Sequence, residues 1–219
     1  MVTPVKDQGQ CGSCWAFSAT EAIESAWLMA GNKQQILAPQ QIVSCDSTDE
    51  GCNGGDTPTA YKYVMKAGGM VTEKEYPYTS GKSGASKRCS KTKLGDKAVK
   101  ITGFKYATKP APNSDTGRFK PNENAMAAAM AQAGPVSVCV DAETWQSYKK
   151  GVITRTCKTQ LDHCVQAVGY NKDASNSFGK PYWIVRNSWN TDWGYKGYIY
   201  VGMGSDYCGI ANEATIAEV

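Results

Sequence analysis

The sequence predicts an α+β fold with a helical N-terminal lobe and an antiparallel, barrel-like β C-terminal lobe. Helical hydrophobic patterns occupy the first hundred residues. Short runs of β-branched and aromatic residues, separated by Gly, Asn, Asp and Pro, fill most of the second half. The length of 219 residues suffices for one large domain or two small lobes whose core needs no metal. We expect the lobes to be residues 1–105 and 106–219, acting as one unit with a site between them.

Three helices are expected, and their ends carry recognisable signals. Residues 13–30 present a face of small apolar side chains, with Ser13 as the N-cap and Gly31 as the C-terminal stop. A second helix is expected at 60–67, where two glycines end it. A third is expected at 122–134, just before the β-rich segments.

Five short runs predict the strands of the C-terminal lobe. They are rich in Val, Ile, Tyr and Trp, and turn-forming residues separate them, as is typical of antiparallel sheets. They lie at residues 135–140, 151–153, 163–170, 181–189 and 197–203. The polar, Pro-containing segment 109–121 is expected to be a loop.

Composition excludes several classes of function. The net charge of +4 is spread along the chain without a block of like charges, so no nucleic-acid partner is indicated. No apolar run approaches the ~18 residues that span a bilayer, and the first ten residues lack the features of a signal peptide. We therefore expect no membrane association.

Cysteine and histidine are the informative residue types. Nine cysteines are more than a cytosolic protein usually carries, and an odd number leaves at least one thiol unpaired. We therefore expect an oxidising compartment, with disulfides and a free cysteine. His163 is the only histidine, so a mechanism that needs imidazole near neutral pH has to use it.

The segment QGQCGSCWAFS, residues 8–18, places Cys11 and Cys14 three positions apart. A redox pair would follow a strand of a βαβ unit, but the preceding segment is short, polar and broken by Pro4. A zinc site would need a second pair of ligands at similar spacing, which the other cysteines do not supply. Two structural thiols are one remaining alternative. The other is a nucleophile at Cys14, because the N–H groups at a helix N-terminus favour a thiolate.

Seven sequence blocks, in order, resemble the papain family of cysteine proteases, most closely its cathepsin L-like members. The first block contains the family signature C-G-[SA]-C-[WY], and His163 and Asn187 follow Cys14 by 149 and 173 residues. The resemblance runs from Val2 to the C-terminus and implies a papain-like two-lobe fold with the active site in the cleft. The blocks are QGQCGSCWAFS, SCDSTDEGCNGG, EYPY, GPVSVCVDA, LDHCVQAVGY, YWIVRNSW and WGYKGYIYV.

The resemblance implies a catalytic set of four residues. Cys14 is the nucleophile and His163 its base, as a thiolate–imidazolium pair, while Asn187 orients the imidazole. Gln8 and the Cys14 backbone N–H hold the oxyanion of the tetrahedral intermediate. Trp189 shields the His–Asn hydrogen bond from water, although a Trp in a strand is more often a core residue.

The resemblance also implies where a peptide substrate binds. Gly54 and Gly55 pair with its extended backbone. The S2 pocket takes the P2 side chain, which belongs to the residue just before the one whose peptide bond is cleaved. Glu213 in this pocket implies acceptance of Arg as well as Leu or Phe at P2, with Arg favoured when Glu213 is ionised. A solvent-facing Glu213 is the alternative. The implied S2 residues are Asp56, Thr57, Cys139, Leu161, Cys164 and Glu213, and the other implied substrate-binding residues are Gly12, Asp162, Trp189 and Trp193.

Three disulfides carry over by position from the family: Cys11–Cys52, Cys45–Cys89 and Cys157–Cys208. Cys139 and Cys164 depart from the small or apolar residues common there. They are either small buried hydrophobes or a fourth disulfide, because a sequence does not give the distance between them.

The implied function is that of an endopeptidase, which hydrolyses peptide bonds through an acyl-enzyme thioester without a metal or cofactor. A carboxydipeptidase of the family would need a histidine-bearing loop, and this chain has no second histidine. The alternatives are a peptide ligase or transpeptidase that uses the same site, and a catalytically inactive binding homologue.

The resemblance further implies partners and a compartment. Expected partners are peptide or protein substrates, the inhibitory propeptide of a zymogen and cystatin-type protein inhibitors, with the enzyme acting as a monomer. The propeptide is expected upstream of this chain. Disulfides and the resemblance together indicate a lysosomal, vacuolar or secreted enzyme.

Overall fold

The computed structural model describes residues 1–108, 121–154, 157–158 and 160–219. The segment expected as a loop, 109–121, lies outside the described residues except for Pro121. The helices are α1 Cys14–Met29, α2 Pro39–Cys45, α3 Thr57–Lys66, α4 Ser80–Ser83 and α5 Glu123–Ala133. The strands are β1 Gly103–Tyr106, β2 Val136–Val140, β3 Val152–Ile153, β4 His163–Asn171, β5 Tyr182–Arg186, β6 Tyr198–Gly202 and β7 Glu213–Glu218.

Helix α1 is the central element of the N-terminal half and forms where the sequence predicts it. Its first three turns are buried. Ser13 occupies the N-cap position, as expected, but its hydroxyl makes no capping hydrogen bond and lies 2.8 Å from the Tyr78 hydroxyl. The N–H groups of the first turn therefore receive no oxygen from the Ser13 side chain.

The other predicted helices form with different ends. Helix α3 begins three residues earlier than expected, because Asp56 caps it: its Oδ1 accepts a hydrogen bond from the Thr57 backbone N–H at 2.8 Å, and Pro58 fits the first turn. Helix α5 begins after Asn122, whose Oδ1 accepts from the Ala125 N–H at 2.9 Å. Helix α2 is not predicted, since seven residues are too few to show a helical period.

Among the described residues, the strands form a seven-stranded sheet in the order β1-β7-β2-β4-β5-β6-β3. All neighbours pair antiparallel except β3 and β6, which run parallel. The α+β fold class is confirmed. The sequence does not predict β1 and β7, and the expected lobe division between residues 105 and 106 falls inside β1.

Two hydrophobic clusters flank the sheet. The larger packs Met126 and Met130 of α5 with Trp183 and other side chains of the sheet. The second packs Trp15 and Ile23 of α1 with α2 and α3. Each helix in the described residues is too short or too polar to span a membrane.

A buried ionic network joins α1, the sheet and the N-terminal segment. Arg186, fully buried at the end of β5, holds its Nε 3.4 Å from Oε2 of Glu21. Its Nη1 donates to the Thr3 carbonyl, and its Nη2 donates to Oε1 of Gln166 at 2.6 Å. Burial, only partly offset by the charges of Arg186 and Lys6, raises the pKa of Glu21 to about 7.

Candidate active site

Cys14 is the first residue of α1, and it lines a cavity of about 300 Å³ together with His163, the first residue of β4. All nine cysteines lie in the described part of the chain, and Cys14 is the one free thiol among them. The eight others form Cys11–Cys52, Cys45–Cys89, Cys157–Cys208 and Cys139–Cys164. The first three are the pairs that the family resemblance implied. The fourth joins Cys139 and Cys164, for which the sequence allowed either two free thiols or a disulfide.

The environment of Cys14 favours its thiolate. Burial alone would raise the pKa of the thiol, but a hydrogen bond from His163 and the charge of its imidazolium lower the pKa below the ordinary value. The backbone N–H groups of Cys164 and Trp15 act in the same direction. Trp15 is in the first turn of α1, so the helix N-terminus contributes as the sequence predicts.

His163 is held as the complementary cation. Burial would lower its pKa, but the hydrogen bond and charge of Cys14, the hydrogen bond with Asn187 and the charge of Asp162 raise it overall. The imidazole Nε2 lies 2.8 Å from Oδ1 of Asn187. This oxygen also accepts from the Ser188 backbone N–H at 2.8 Å. Because Oδ1 can only accept, Nε2 carries a proton and Nδ1 is the nitrogen available to the sulfur.

Aromatic rings enclose the imidazole. The indole of Trp189 stacks on it, with ring centroids 4.9 Å apart and an interplanar angle of 29°. Trp193 packs on the edge of Trp189 at 5.0 Å. Trp145 meets the imidazole edge-on at 6.3 Å, and the sequence gives no signal for this contact because Trp145 lies 18 residues upstream of His163. Trp189 and Trp145 thus contact the imidazole directly, and Trp193 packs behind Trp189.

The side chain of Gln8 is anchored beside the nucleophile. Its Oε1 accepts from the Ser188 hydroxyl at 2.6 Å, and its Nε2 donates to the Cys11 carbonyl at 3.0 Å. An amide nitrogen has two hydrogens, so Nε2 has a second N–H besides the one that it donates to Cys11. The sequence gives no signal for this contact of Ser188, because the two residues are 180 positions apart.

Two of the three cleft glycines are required for packing within the chain. A Cβ on Gly55 would lie 2.6 Å from the Trp15 indole, and a Cβ on Gly12 would lie 2.5 Å from the Cys52 carbonyl. Both glycines are therefore needed for packing within the chain. Gly54 instead has open space at its Cβ position and a φ of +128°, which favours glycine.

The predicted S2 residues mostly meet in one cavity. Eleven predicted substrate-binding or catalytic residues, together with Asn53, form its lining: Gly12, Cys14, Gly54, Gly55, Asp56, Cys139, Leu161, Asp162, His163, Cys164 and Glu213. Thr57 does not line it. That side chain is buried, with its hydroxyl 3.5 Å from the Thr215 hydroxyl, because Thr57 is the first residue of α3 rather than part of the loop.

Asp56, Cys139 and Glu213 form a cluster on the wall of the cavity. One oxygen of each carboxyl and the Cys139 sulfur lie within 4.8 Å of one another. Cys139 is bonded to Cys164, so its sulfur is no thiolate and the cluster lacks a third anionic metal ligand. Burial is the largest cause that raises the pKa of Glu213 to about 8, and the hydrogen bond and charge of Asp56 act in the same direction.

Comparison with known proteins identifies the family to which this geometry belongs. The family model described as "Papain family cysteine protease" matches residues 1–218. The chain belongs to the papain family. The predictions of the family and of a papain-like enzyme fold are confirmed.

The papain-family relatives with curated descriptions are longer than this chain. Cysteine proteinase A of Leishmania mexicana is 44% identical, over 100% of this chain and 57% of its own length. Cysteine proteinase 1 of Dictyostelium discoideum is 40% identical, over 96% of this chain and 60% of its own length. The chain thus spans less than two thirds of these relatives.

Solved papain-family structures share the fold. The proform of Amb a 11, a cysteine protease and ragweed pollen allergen, has a TM-score of 0.85 and 36% identity, covering 100% of this chain and 62% of its own. Bromelain from Ananas comosus, in complex with the E64 inhibitor, has a TM-score of 0.84 and 34% identity, covering 100% and 94%.

Proposed function

We propose that this papain-family chain is a cysteine endopeptidase that hydrolyses internal peptide bonds of peptides and proteins. The observation that carries the proposal is the free thiol of Cys14 at the start of α1, beside an imidazole that Asn187 orients. A catalytically inactive binding homologue would need neither a thiol poised as thiolate nor an oriented imidazolium. The assembled set therefore argues against that alternative.

The proposed chemistry has two steps. The Cys14 thiolate attacks the peptide carbonyl carbon, and as the C–N bond breaks, Nδ1 of the His163 imidazolium gives its proton to the leaving amine. Neutral His163 then takes a proton from water, which attacks the thioester; the C–S bond breaks, and the thiolate–imidazolium pair is restored. Asn187 keeps the ring in place through both steps by accepting from Nε2.

Gln8 supplies the oxyanion donor in this proposal. We expect Gln8→Ala to lower kcat by about 10²- to 10³-fold with little change in KM, because the donor acts on charge that develops only in the transition state. Steady-state kinetics of a fluorogenic peptide measure this. Gln10→Ala, in the same loop but exposed, is the matched control. A rise in KM at unchanged kcat would mean that Gln8 binds substrate rather than the oxyanion.

A peptide blocked at both ends tests the endopeptidase proposal itself. We expect cleavage at an internal bond, observed by mass spectrometry of the products. Release of terminal dipeptides only from an unblocked peptide, with the blocked peptide intact, would contradict the proposal. Products formed in the presence of an added amine show whether transfer competes with hydrolysis.

For substrate recognition, we propose that the cavity beyond Cys14 is the S2 pocket and that it takes Leu or Phe as well as Arg at P2. Leu161 and the Cys139–Cys164 disulfide supply apolar surface, and Asp56 and Glu213 supply the acidic end. Trp189 and Trp193 lie next to His163 on the proposed leaving-group side.

The proposal extends to partners and compartment. Proforms are among the structural neighbours, and one neighbour is a complex with the E64 inhibitor, which supports an upstream propeptide and binding of substrate-like inhibitors in the cleft. Four disulfides support an oxidising, non-cytosolic compartment, lysosomal, vacuolar or extracellular. We also propose that the two hydrophobic clusters are the cores of two lobes that form one catalytic unit. The enzyme is further proposed to act as a monomer and to be bound by cystatin-type protein inhibitors.

A further inference from the structure

The S2 end of the cavity contains two carboxyl groups that face each other. Asp56 stands before α3, and Glu213 begins β7, opposite Cys139 of β2 in the strand register. Both line the cavity that contains Cys14 and His163. Neither Lys nor Arg is among the described residues that line this cavity, so no lysine or arginine of the lining neutralises the two carboxyls.

The contacts of the two carboxyls are unequal. Oδ1 of Asp56 accepts from the Thr57 backbone N–H at 2.8 Å, at the positive N-terminal end of the ten-residue helix α3. Asp56 thus has a backbone donor within the chain. Oε1 of Glu213 instead lies 3.8 Å from Sγ of Cys139, which is disulfide-bonded and has no hydrogen to donate. The protonated form of Glu213 is therefore favoured, with its O–H donating to the Asp56 carboxylate, in agreement with the pKa of about 8.

The other titratable groups around the pair do not supply a compensating cation. The phenols of Tyr61 in α3 and Tyr106 in β1 feel the charges of both carboxyls, and their raised pKa values keep them neutral over the pH range of interest. Asp162 lies elsewhere on the cavity wall, and His163 is engaged with Cys14 and Asn187. The pair thus carries one negative charge while Glu213 keeps its proton, and two after Glu213 loses it.

We propose that Asp56, not Glu213, supplies the negative charge that recognises a basic P2 side chain at acidic pH, and that Glu213 holds a shared proton and adds a second charge only at alkaline pH. The inference rests on the endopeptidase function proposed above. It extends the expectation that Arg is favoured when Glu213 is ionised, because the pocket carries the charge of Asp56 before Glu213 adds a second one. A guanidinium can bridge two carboxylates, so bound Arg favours release of the shared proton.

Two matched peptides test the inference. They differ only in Arg or Leu at P2, and kcat/KM is measured for both from pH 5 to pH 9. The concentration of active enzyme is determined by titration with E64. The ratio of kcat/KM for the Arg peptide to that for the Leu peptide is then compared, because a loss of activity that affects both peptides equally cancels in this ratio. For the unsubstituted chain we expect cleavage of the peptide with Arg at P2 at pH 5, and an Arg-to-Leu ratio that rises near pH 8.

The variants separate the two carboxyls. Glu213→Gln should keep the pH 5 ratio within about threefold and remove the rise near pH 8. Asp56→Asn, which can still cap α3, should lower the pH 5 ratio by about tenfold or more, because burial still keeps Glu213 protonated at that pH. The ratio should recover in part at higher pH, where Glu213 ionises. If Asp56→Asn does not fold, the pH 5 ratio of Glu213→Gln decides alone.

Three outcomes would overturn the inference. One is loss of P2 Arg cleavage at pH 5 in Glu213→Gln, which would assign the charge to Glu213. Another is an unchanged pH 5 ratio in Asp56→Asn. The third is cleavage of the Leu peptide but never of the Arg peptide by the unsubstituted chain. Failure to cleave either peptide would instead contradict the proposed endopeptidase function.

Discussion

Replacing Cys14 with Ala is expected to lower kcat/KM for peptide hydrolysis by more than about 10⁴-fold, because the attacking group is removed. The eight other cysteines are disulfide-bonded in the structure, so no second thiol can substitute for it. The assay is hydrolysis of a fluorogenic peptide under conditions that leave disulfides intact.

Cys14→Ser is the matched control for this prediction. It keeps the size of the side chain but replaces the thiol with a hydroxyl, which does not form an anion beside an imidazolium at neutral pH. We expect it to be as inactive as Cys14→Ala, while both retain the thermal midpoint of the unsubstituted chain. Retention of a tenth or more of the activity by Cys14→Ala would exclude Cys14 as the nucleophile.

Replacing Arg186 with Met is expected to lower the free energy of unfolding by about 3–5 kcal/mol at pH 8, because an ionised Glu21 is left buried without its partner. Arg186 also donates to the Thr3 carbonyl and to Gln166, so the N-terminal segment loses a contact with β5. Urea denaturation followed by circular dichroism measures the loss.

The pH dependence of this loss follows from Glu21. Its pKa is raised on folding, from 4.5 to about 7, so its contribution to stability is full below about pH 4.5 and declines as the pH rises through 7. We therefore expect Arg186→Met to cost less at pH 5 than at pH 8, and the double variant Glu21→Gln/Arg186→Met to recover part of the loss at pH 8. An equal loss at both pH values would assign the role of Arg186 to its hydrogen bonds alone.

The sequence predicts those parts of the fold whose signals are local. Helix α1 shows a face of small side chains within its 16 residues, with an N-cap residue just before it and a glycine just beyond it, and the structure confirms the helix. Strand β7 carries no such signal: it is six residues long with Glu at both ends. Its strand conformation depends on pairing with β1 and β2, which are distant in sequence.

The candidate site divides in the same way. The set around Cys14 is predictable because the family resemblance is carried by contiguous residues on each side of it. The pairing of Asp56 with Glu213 joins residues 157 positions apart, and the bond between Cys139 and Cys164 depends on the register of β2 with β4. A sequence fixes neither distance, so the acidic pair and the fourth disulfide emerge only from the folded chain.

The pH dependence of Cys14 alkylation by iodoacetamide tests the proposed thiolate–imidazolium pair most directly. An ordinary thiol with a pKa of about 8.5 reacts roughly 80-fold faster at pH 8 than at pH 6, because only the thiolate reacts. For the folded chain we predict a much shallower change, with peptide mapping placing the modification at Cys14, and the ordinary steep dependence after unfolding in urea. The steep dependence in the folded chain, or modification at another residue, would contradict the account.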